Sequence, residues 1–553
     1  TEAAEVAFAV PDAHQDRGIG TQLLQHLTAY ARTRGITEFR AFVLSDNHAM
    51  MRVFRNAGYT MKRELEEGVY TVEFPTEESE ESRAAEYEHE KRSIAASMMP
   101  IFYPHSIAVI GASRNAESIG GRLFENLIKG RFTGPVYPVN PGAPVVRSVR
   151  AYPSILDVPD PIDLAFIVVP AQYVIPAVEE CGEKGVKGIV VISAGFGETG
   201  NREAEQELLE AARSAGMRMV GPNCMGVLNT DPKISMDGQF GPILPPFGNV
   251  AMTSQSGALG IAILDYARRL NIGISTFISM GNKADVSGND LLLYWEDDPA
   301  TDVLLLYLES FGNPRRFSRI ARRIGKKKPI VAVKSGRTEA GIRAASSHTG
   351  ALASADIAVD ALFRQAGVIR VDTLSEMFDI AALLSTQPVP AGRRVAVLTN
   401  AGGPGILAVD ALESLGLEVP RFSDELQKGL RDLLSAEAAG ANPVDMIASA
   451  SSEHYKACLD LLMDTDEVDS VMVLHIEVAP GTSGDVATAF QEAEIKHRGK
   501  KTLLSVFMQS SGVPEQLSKG EAKIPSYLFP EPAARALSRA VDYGDWRNRP
   551  TGE

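Results

Sequence analysis

Histidine 348 stands in the run Ala344-Ala345-Ser346-Ser347-His348-Thr349-Gly350-Ala351-Leu352, among small and hydroxyl-bearing residues. A neutral imidazole is nucleophilic near physiological pH and can take up a phosphoryl group. The glycine two residues on and the small neighbours leave room for such a group. Taken alone, a single histidine is equally a structural or exposed residue. A second segment, Thr253–Gly260 (TSQSGALG), reads as a loop entering a helix, and the first N–H groups of a helix favour an anion. A third, Gln15-Asp16-Arg17-Gly18-Ile19-Gly20-Thr21, lies between a strand and a helix. Glycines there let the backbone approach a pyrophosphate, although the same pattern serves a plain tight turn.

The elements that position these residues alternate between strand and helix along nearly the whole chain. At the front, 4–10 reads as a strand, Gly20 to about Gly35 as a helix and Glu38–Leu44 as a strand. Asn47–Ala57 reads as a helix, and the segment near Gly68–Phe74 as a last strand. The charged run TEESEESRAAEYEHEKR then reads as a solvated linker or linking helix over 76–97. SIAVIGAS, PVYPVN, DLAFIVVP, KGIVVISAG and MRMVGPN are strands of one doubly wound domain over 98–230. NVAMTSQSGALG, ISTFISMG, DVLLLYLES and KPIVAVKSG define a second over 246–386. RRVAVLTNAGGPG, SVMVLHIEV and KTLLSVFMQ define a third over 390–545. The expected class is α/β: a partial unit over 1–75, then three complete ones.

Composition limits the partners. The chain has 553 residues, too many for one core, with 44% hydrophobic and 23% charged residues, an ordinary globular balance. A formal net charge of -15 disfavours nonspecific binding to nucleic acid or anionic membrane. The three cysteines, Cys181, Cys224 and Cys458, form no CxxC and no zinc spacing, so no metal is expected and a reducing cytoplasm is. Cys224 reads as a buried small residue. No apolar run reaches membrane-spanning length. Both ends read as interior points of a longer polypeptide.

Several of these stretches resemble known families. Gln15–Thr21 resembles motif A of the GNAT acetyltransferases, and SDNHAMMRVFRNAGY (Ser45–Tyr59) resembles the segment that follows it. That resemblance implies that Gln15, Gly18 and Gly20 cradle coenzyme A phosphates and that Asn47 lies near the pantetheine. It implies that Glu5 is the general base for a lysine amine. The elements that precede this strand in a complete GNAT fold are missing. SIAVIGASRNAESIGG lacks the glycine spacing of a dinucleotide site. With VNP (Val139–Pro141), VVP (Val168–Pro170) and GPNCMG (Gly221–Gly226), it resembles the Rossmann-like CoA-binding domain of succinyl-CoA synthetase α subunits and ADP-forming acyl-CoA synthetases. By that resemblance Ser113 contacts CoA phosphate. Pro141, Val169, Pro170 and the segment containing Ser193 line the CoA path, and Asn223 lies near the thiol end.

The SHTGA run resembles the phosphorylated loop of the same synthetases, with His348 as phosphoryl acceptor and Glu309, in LLLYLES, as the residue that orients it. GNKADVSGND (Gly281–Asp290) corresponds to a loop facing the site in relatives. The second and third ligase-type domains are then flavodoxin-like. A GNAT domain joined to this scaffold resembles the bacterial Pat-type protein lysine acetyltransferases. The first function this implies is protein lysine N-acetylation on a client protein, with the synthetase-like region binding CoA or acetyl-CoA. The alternative is an ADP-forming acyl-CoA synthetase working through acyl phosphate and phosphohistidine. That reaction needs phosphate and an ATP-grasp domain or subunit, which alone would bring the nucleotide (ADP/ATP) and Mg. The acyl group, the choice of ADP or GDP and a possible homo-oligomer stay open.

Overall fold

Short apolar runs punctuated by glycine supply most strands of the five sheets among the described residues, four of them with four or more strands and one a two-stranded hairpin. The computed structural model describes residues 3–12, 15, 18–341, 343, 356–478 and 481–550. The chain divides into two compact units, residues 1–97 and 98–553.

In the first unit the elements are β1 (Ala3–Glu5), α1 (Ile19–Thr33), β2 (Glu38–Leu44), α2 (His48–Asn56), β3 (Lys62–Glu66), β4 (Val69–Pro75) and the part of α3 (Glu80–Phe102) up to residue 97. The sheet order is β1-β2-β4-β3, with β1 parallel to β2 and the other pairs antiparallel. β2 alternates buried and exposed residues along its length, the signature of a sheet with one wet face. Phe39, Phe54 and Phe74 fill the space between the sheet and the helices. Two elements differ from the sequence reading. The first strand pairs only over Ala3–Glu5, because Phe8 and Val10 turn to line a cavity instead. β3 has five exposed residues and no apolar alternation, so only its pairing with β4 defines it. The charged run is helical from Glu80 onward and buries Ser82, Tyr87 and Lys91, so residues 80–97 belong to this unit's packing.

The second unit holds three α/β sheets. The first contains β5 (Ile107–Ile110), β6 (Val136–Val139), β9 (Leu164–Ile167), β10 (Gly188–Val191) and β11 (Arg218–Val220), with α4 (Ile119–Lys129), α5 (Val174–Lys184) and α6 (Arg202–Ser214) between them. A small hairpin, β7 (Val145–Val146) and β8 (Val149–Arg150), follows β6. The sheet is wholly parallel, in the order β11-β10-β9-β5-β6. Every residue of β5, β9 and β10 is buried, as a strand covered on both faces requires.

The second sheet contains β12 (Gly226–Asn229), β13 (Met236–Gln239), β14 (Phe247–Ser254), β15 (Ile274–Ser279), β16 (Val303–Leu308), β17 (Ile330–Lys334) and β18 (Val368–Val371). Helices α7 (Gly257–Arg269), α8 (Gly288–Glu296) and α9 (Pro314–Gly325) connect them. Its order is β13-β12-β15-β14-β16-β17-β18; β12 runs antiparallel to both of its neighbours and the other pairs are parallel. The third sheet, β20-β19-β21-β22-β23, is wholly parallel: β19 (Val395–Thr399), β20 (Val444–Asp445), β21 (Ser470–His475), β22 (Thr502–Phe507) and β23 (Ser526–Tyr527). One hydrophobic cluster joins the last two sheets through the helices Leu374–Leu384 and Pro530–Asn548. The architecture is α/β, with a Rossmann-like domain followed by flavodoxin-like domains, as the sequence implies. Among the described residues no helix is long and apolar enough to cross a membrane.

Candidate functional site: a cleft between two switch points

In an open parallel sheet a crevice forms at the carboxyl end where the strand order reverses direction, and ligands bind there. The first sheet reverses between β5 and β9, since β6 lies on one side of β5 and β9 on the other. The second reverses between β14 and β16 in the same way. Both reversals open into one cleft of about 1080 Å3. Gly111, Ser113, Val168 and Val169 line it from the first sheet, and Gln255, Ser256, Glu309 and Ser310 from the second.

The local sequence makes this junction tight. Gly111 has φ +93, and a Cβ there would collide with the Val168 carbonyl, so the two strand ends meet only with glycine. Ser113 Oγ accepts from the Asn115 N–H at 3.1 Å, which turns the chain toward α4. Ser118 caps α4 by accepting from Gly121 N, and Ser256 caps α7 by accepting from Leu259 N. Both caps line the cleft. Two helix N-termini therefore place their positive ends in a single cavity.

The expected CoA-path residues divide. Ser113, Val169, Ser193 and Asn223 line the cleft. Ser193 Oγ donates to the Val169 carbonyl at 2.6 Å, tying two of them together. Asn223 adopts φ +58 and points its amide at Asn282, with Nδ2 donating to Oδ1 at 3.3 Å. Pro141 and Pro170 are exposed and lie outside the cleft's lining. Cys224 lines it as a buried residue, and burial pushes its thiol up to about 12.

Glu309 reaches the cleft from the end of β16. Its backbone is held by one side chain that the sequence reading did not single out. Gln255 Oε1 accepts from Glu309 N at 2.8 Å and Ser310 N at 2.9 Å, while its Nε2 donates to the Ser310 carbonyl at 2.9 Å. Two further residues were missed. Lys283, in the Gly281–Asp290 loop, puts its ammonium 2.7 Å from Ser310 Oγ. Burial pulls its pKa down to about 8, against the attraction of Glu309 and with the repulsion of Lys334. Asn282 Nδ2 donates to Glu198 and Glu205, each at 2.6 Å. Burial would raise the Glu198 carboxyl, but Asn282 and the N–H groups of Gly195 and Phe196 hold it below its usual range. The residue types alone carry little signal here, since a loop lysine reads as solvated. The position of Gln255, directly after a strand that ends at a reversal, is the clue that could have found it.

His348 lies outside the described residues; after β17 the described chain runs to Gly341, with Arg343, and resumes with the helix Asp356–Ala366. Among the described residues no group of histidine, cysteine and carboxylate side chains has the makings of a metal site.

The first unit has its own cavity, of about 900 Å3, lined by Gln15, Gly18, Gly20 and Asn47. Gly18, at φ +79, is the N-cap of α1, and Asn47 caps α2 by accepting from Met50 N at 3.0 Å. Glu5 is exposed at the end of β1 and is not among the residues lining that cavity.

Family models match along the chain. The succinyl-CoA ligase like flavodoxin domain matches residues 247–384, the CoA binding domain residues 105–230, and the acetyltransferase (GNAT) family residues 1–59. The α subunit of acetate–CoA ligase (ADP-forming) II from Pyrococcus furiosus is 43% identical over 80% of this chain and 96% of its own length. The chain thus belongs to the family of ADP-forming acetate–CoA ligases. The acetate–CoA ligase (ADP-forming) of Methanocaldococcus jannaschii is 40% identical over 80% of this chain, which spans 63% of that longer protein. Among solved structures, the dinucleotide-forming acetyl-coenzyme A synthetase 1 of Ca. Korarchaeum cryptofilum, in complex with phosphate and ADP, superposes with a TM-score of 0.77. It is 37% identical and covers 81% of this chain and 97% of its own.

These findings correct the first function read from the sequence. Protein lysine acetylation, and membership of the Pat type, rested on the front of the chain. The relatives that cover four-fifths of it are ligases, and the GNAT match is confined to residues 1–59.

Proposed function

We propose that residues 98–550 carry the acyl-CoA and phosphate half of an ADP-forming acyl-CoA synthetase. In this reading a phosphate oxygen attacks the thioester carbonyl of an acyl-CoA and the C–S bond breaks. CoA leaves as thiolate, and acyl phosphate is formed. The imidazole of His348 then attacks phosphorus, the P–O bond to the acyl group breaks, and a carboxylate leaves. Glu309 orients and neutralises the imidazole as it gains charge. Ser113, Val169, Ser193 and Asn223 hold CoA, and an ATP-grasp domain or subunit brings ADP and Mg to collect the phosphoryl group. The observation that carries the reading is the single cleft shared by the CoA-side residues and Glu309, with two helix N-termini facing into it.

The test needs no nucleotide. The chain is incubated with acetyl-CoA and labelled phosphate, and acid-labile label on protein is counted. Label that His348→Ala abolishes is the expected result. Acetyl-CoA binding without label would leave a binding scaffold and end the synthetase reading.

A further inference from the structure

The cleft carries a charge problem that the roles above do not address. Its lining includes three carboxylates, Glu198, Glu205 and Glu309, and two cations, Lys283 beside Glu309 and Arg202 on the helix that carries Glu205. Glu198 and Glu205 are occupied, both accepting from Asn282. Glu309 lines the same cleft as the capped start of α7 at Ser256 and Gly257. A phosphate dianion beside a bare carboxylate in a partly desolvated site is strongly repelled.

Lys283 lies where it can remove that repulsion. Its ammonium is 2.7 Å from Ser310 Oγ and interacts electrostatically with Glu309. It lines the same cavity as the capped start of α7 at Ser256 and Gly257. Its backbone is fixed at φ +60, in a loop whose preceding Gly281 has no room for a Cβ against the Pro222 and Asn223 carbonyls. An ammonium has three donors, so with Ser310 Oγ at 2.7 Å and the Ser310 carbonyl at 3.4 Å held by two, the third can meet an anion. Resting on the synthetase reading, we propose that Lys283 is a phosphate-binding residue of this cleft, cancelling the charge of Glu309 so that inorganic phosphate can bind against the start of α7.

The depressed pKa of Lys283 gives the site a pH signature. The ionisable groups acting on it are Glu309, at the end of β16, and Lys334, at the end of β17. The residues facing the cleft from the start of α7 and the Gly221–Asn223 turn are uncharged. The ammonium is present below about 8 and is lost as pH rises through that value, so phosphate affinity falls there.

Inorganic phosphate and CoA are titrated separately into the full chain by calorimetry, for wild type, Lys283→Met and Lys283→Arg. Lys283→Met should weaken phosphate by about 10-fold or more, leave CoA affinity unchanged, and abolish the wild-type loss above pH 8. Lys283→Arg should keep phosphate affinity within about threefold and carry it to higher pH. Equal phosphate affinity in wild type and Lys283→Met overturns the assignment. So does an absence of phosphate binding by wild type, and acid-labile label on that same protein would then show the synthetase reading surviving without it. If Lys283→Met also loses CoA, the arginine variant decides: restored phosphate and CoA binding supports the assignment, and continued loss overturns it.

Discussion

The second and third sheets of the large unit solve one topological problem in two ways. Each reverses its strand order beside its first parallel strand, and each bridges the reversal with a side-chain amide from the residue just after that strand. In the third sheet the bridge is Asn400, which donates to the Ile476 carbonyl and accepts from the Ile476 N–H, both at 2.9 Å. Asn400 is buried, and its amide pins the two strand ends together. In the second sheet the bridge is Gln255, one methylene longer and only half-buried, and it lines the cleft. The longer amide grips the backbone on both sides of Glu309–Ser310 and leaves the carboxylate beside open space. The same device thus seals one crevice and furnishes the other.

Gln255→Ala tests the furnished one. It strips the acceptor from two backbone N–H groups and frees Glu309 to move. Phosphohistidine formation should fall by roughly 10–100-fold, because catalytic geometry is sensitive to displacements of about an ångström. CoA affinity should stay the same. Labelling at the wild-type rate would show that Glu309 needs no such support.

Asn400→Ala tests the sealed one. It takes the Asn400 partner from the N–H and carbonyl of the half-buried Ile476, and the chain should lose about 1–2 kcal/mol of stability by urea denaturation. At temperatures where the variant is folded its labelling rate should match wild type. A matching loss of labelling would mean that the third sheet's crevice also takes part in the chemistry.

The smallest effect concerns Glu494, buried on the helix Ser483–His497 of the third domain. Burial raises its carboxyl to about 7. The folded state therefore favours the protonated acid. That stability is fully present below the unfolded pKa near 4.5 and is lost as pH rises through about 7. Glu494→Gln should raise the melting temperature at pH 8 by a few degrees and change little at pH 5. An equal change at both values would rule out the ionisation as the cause.

Much of this arrangement can be read in the chain before folding. The buried runs that become β5, β9, β10, β14 and β16 are short, apolar and followed by glycine or polar residues, so the α/β alternation is plain. Glu309 is visible because it ends an apolar run. Lys283 and Asn282 are not, since their roles depend on a left-handed backbone turn and on partners 27 to 84 residues away. The run after Thr76 looked like solvent-bathed chain because it carries one aromatic residue. Tyr87, with the small Ser82 and the stem of Lys91, is nevertheless enough to seat one face of a helix.

Cys224 has a consequence for sulfur chemistry. Its buried thiol lines the cavity proposed to hold an acyl thioester, yet with a pKa near 12 only about one molecule in a hundred thousand is ionised at neutral pH. It cannot compete with CoA for an acyl group, nor exchange with a disulfide. The other two cysteines are also buried, with thiols likewise raised to about 12. With all three thiols buried, the native chain is expected to react slowly with maleimide and with oxidised glutathione, so a rise in reactive thiol would report unfolding.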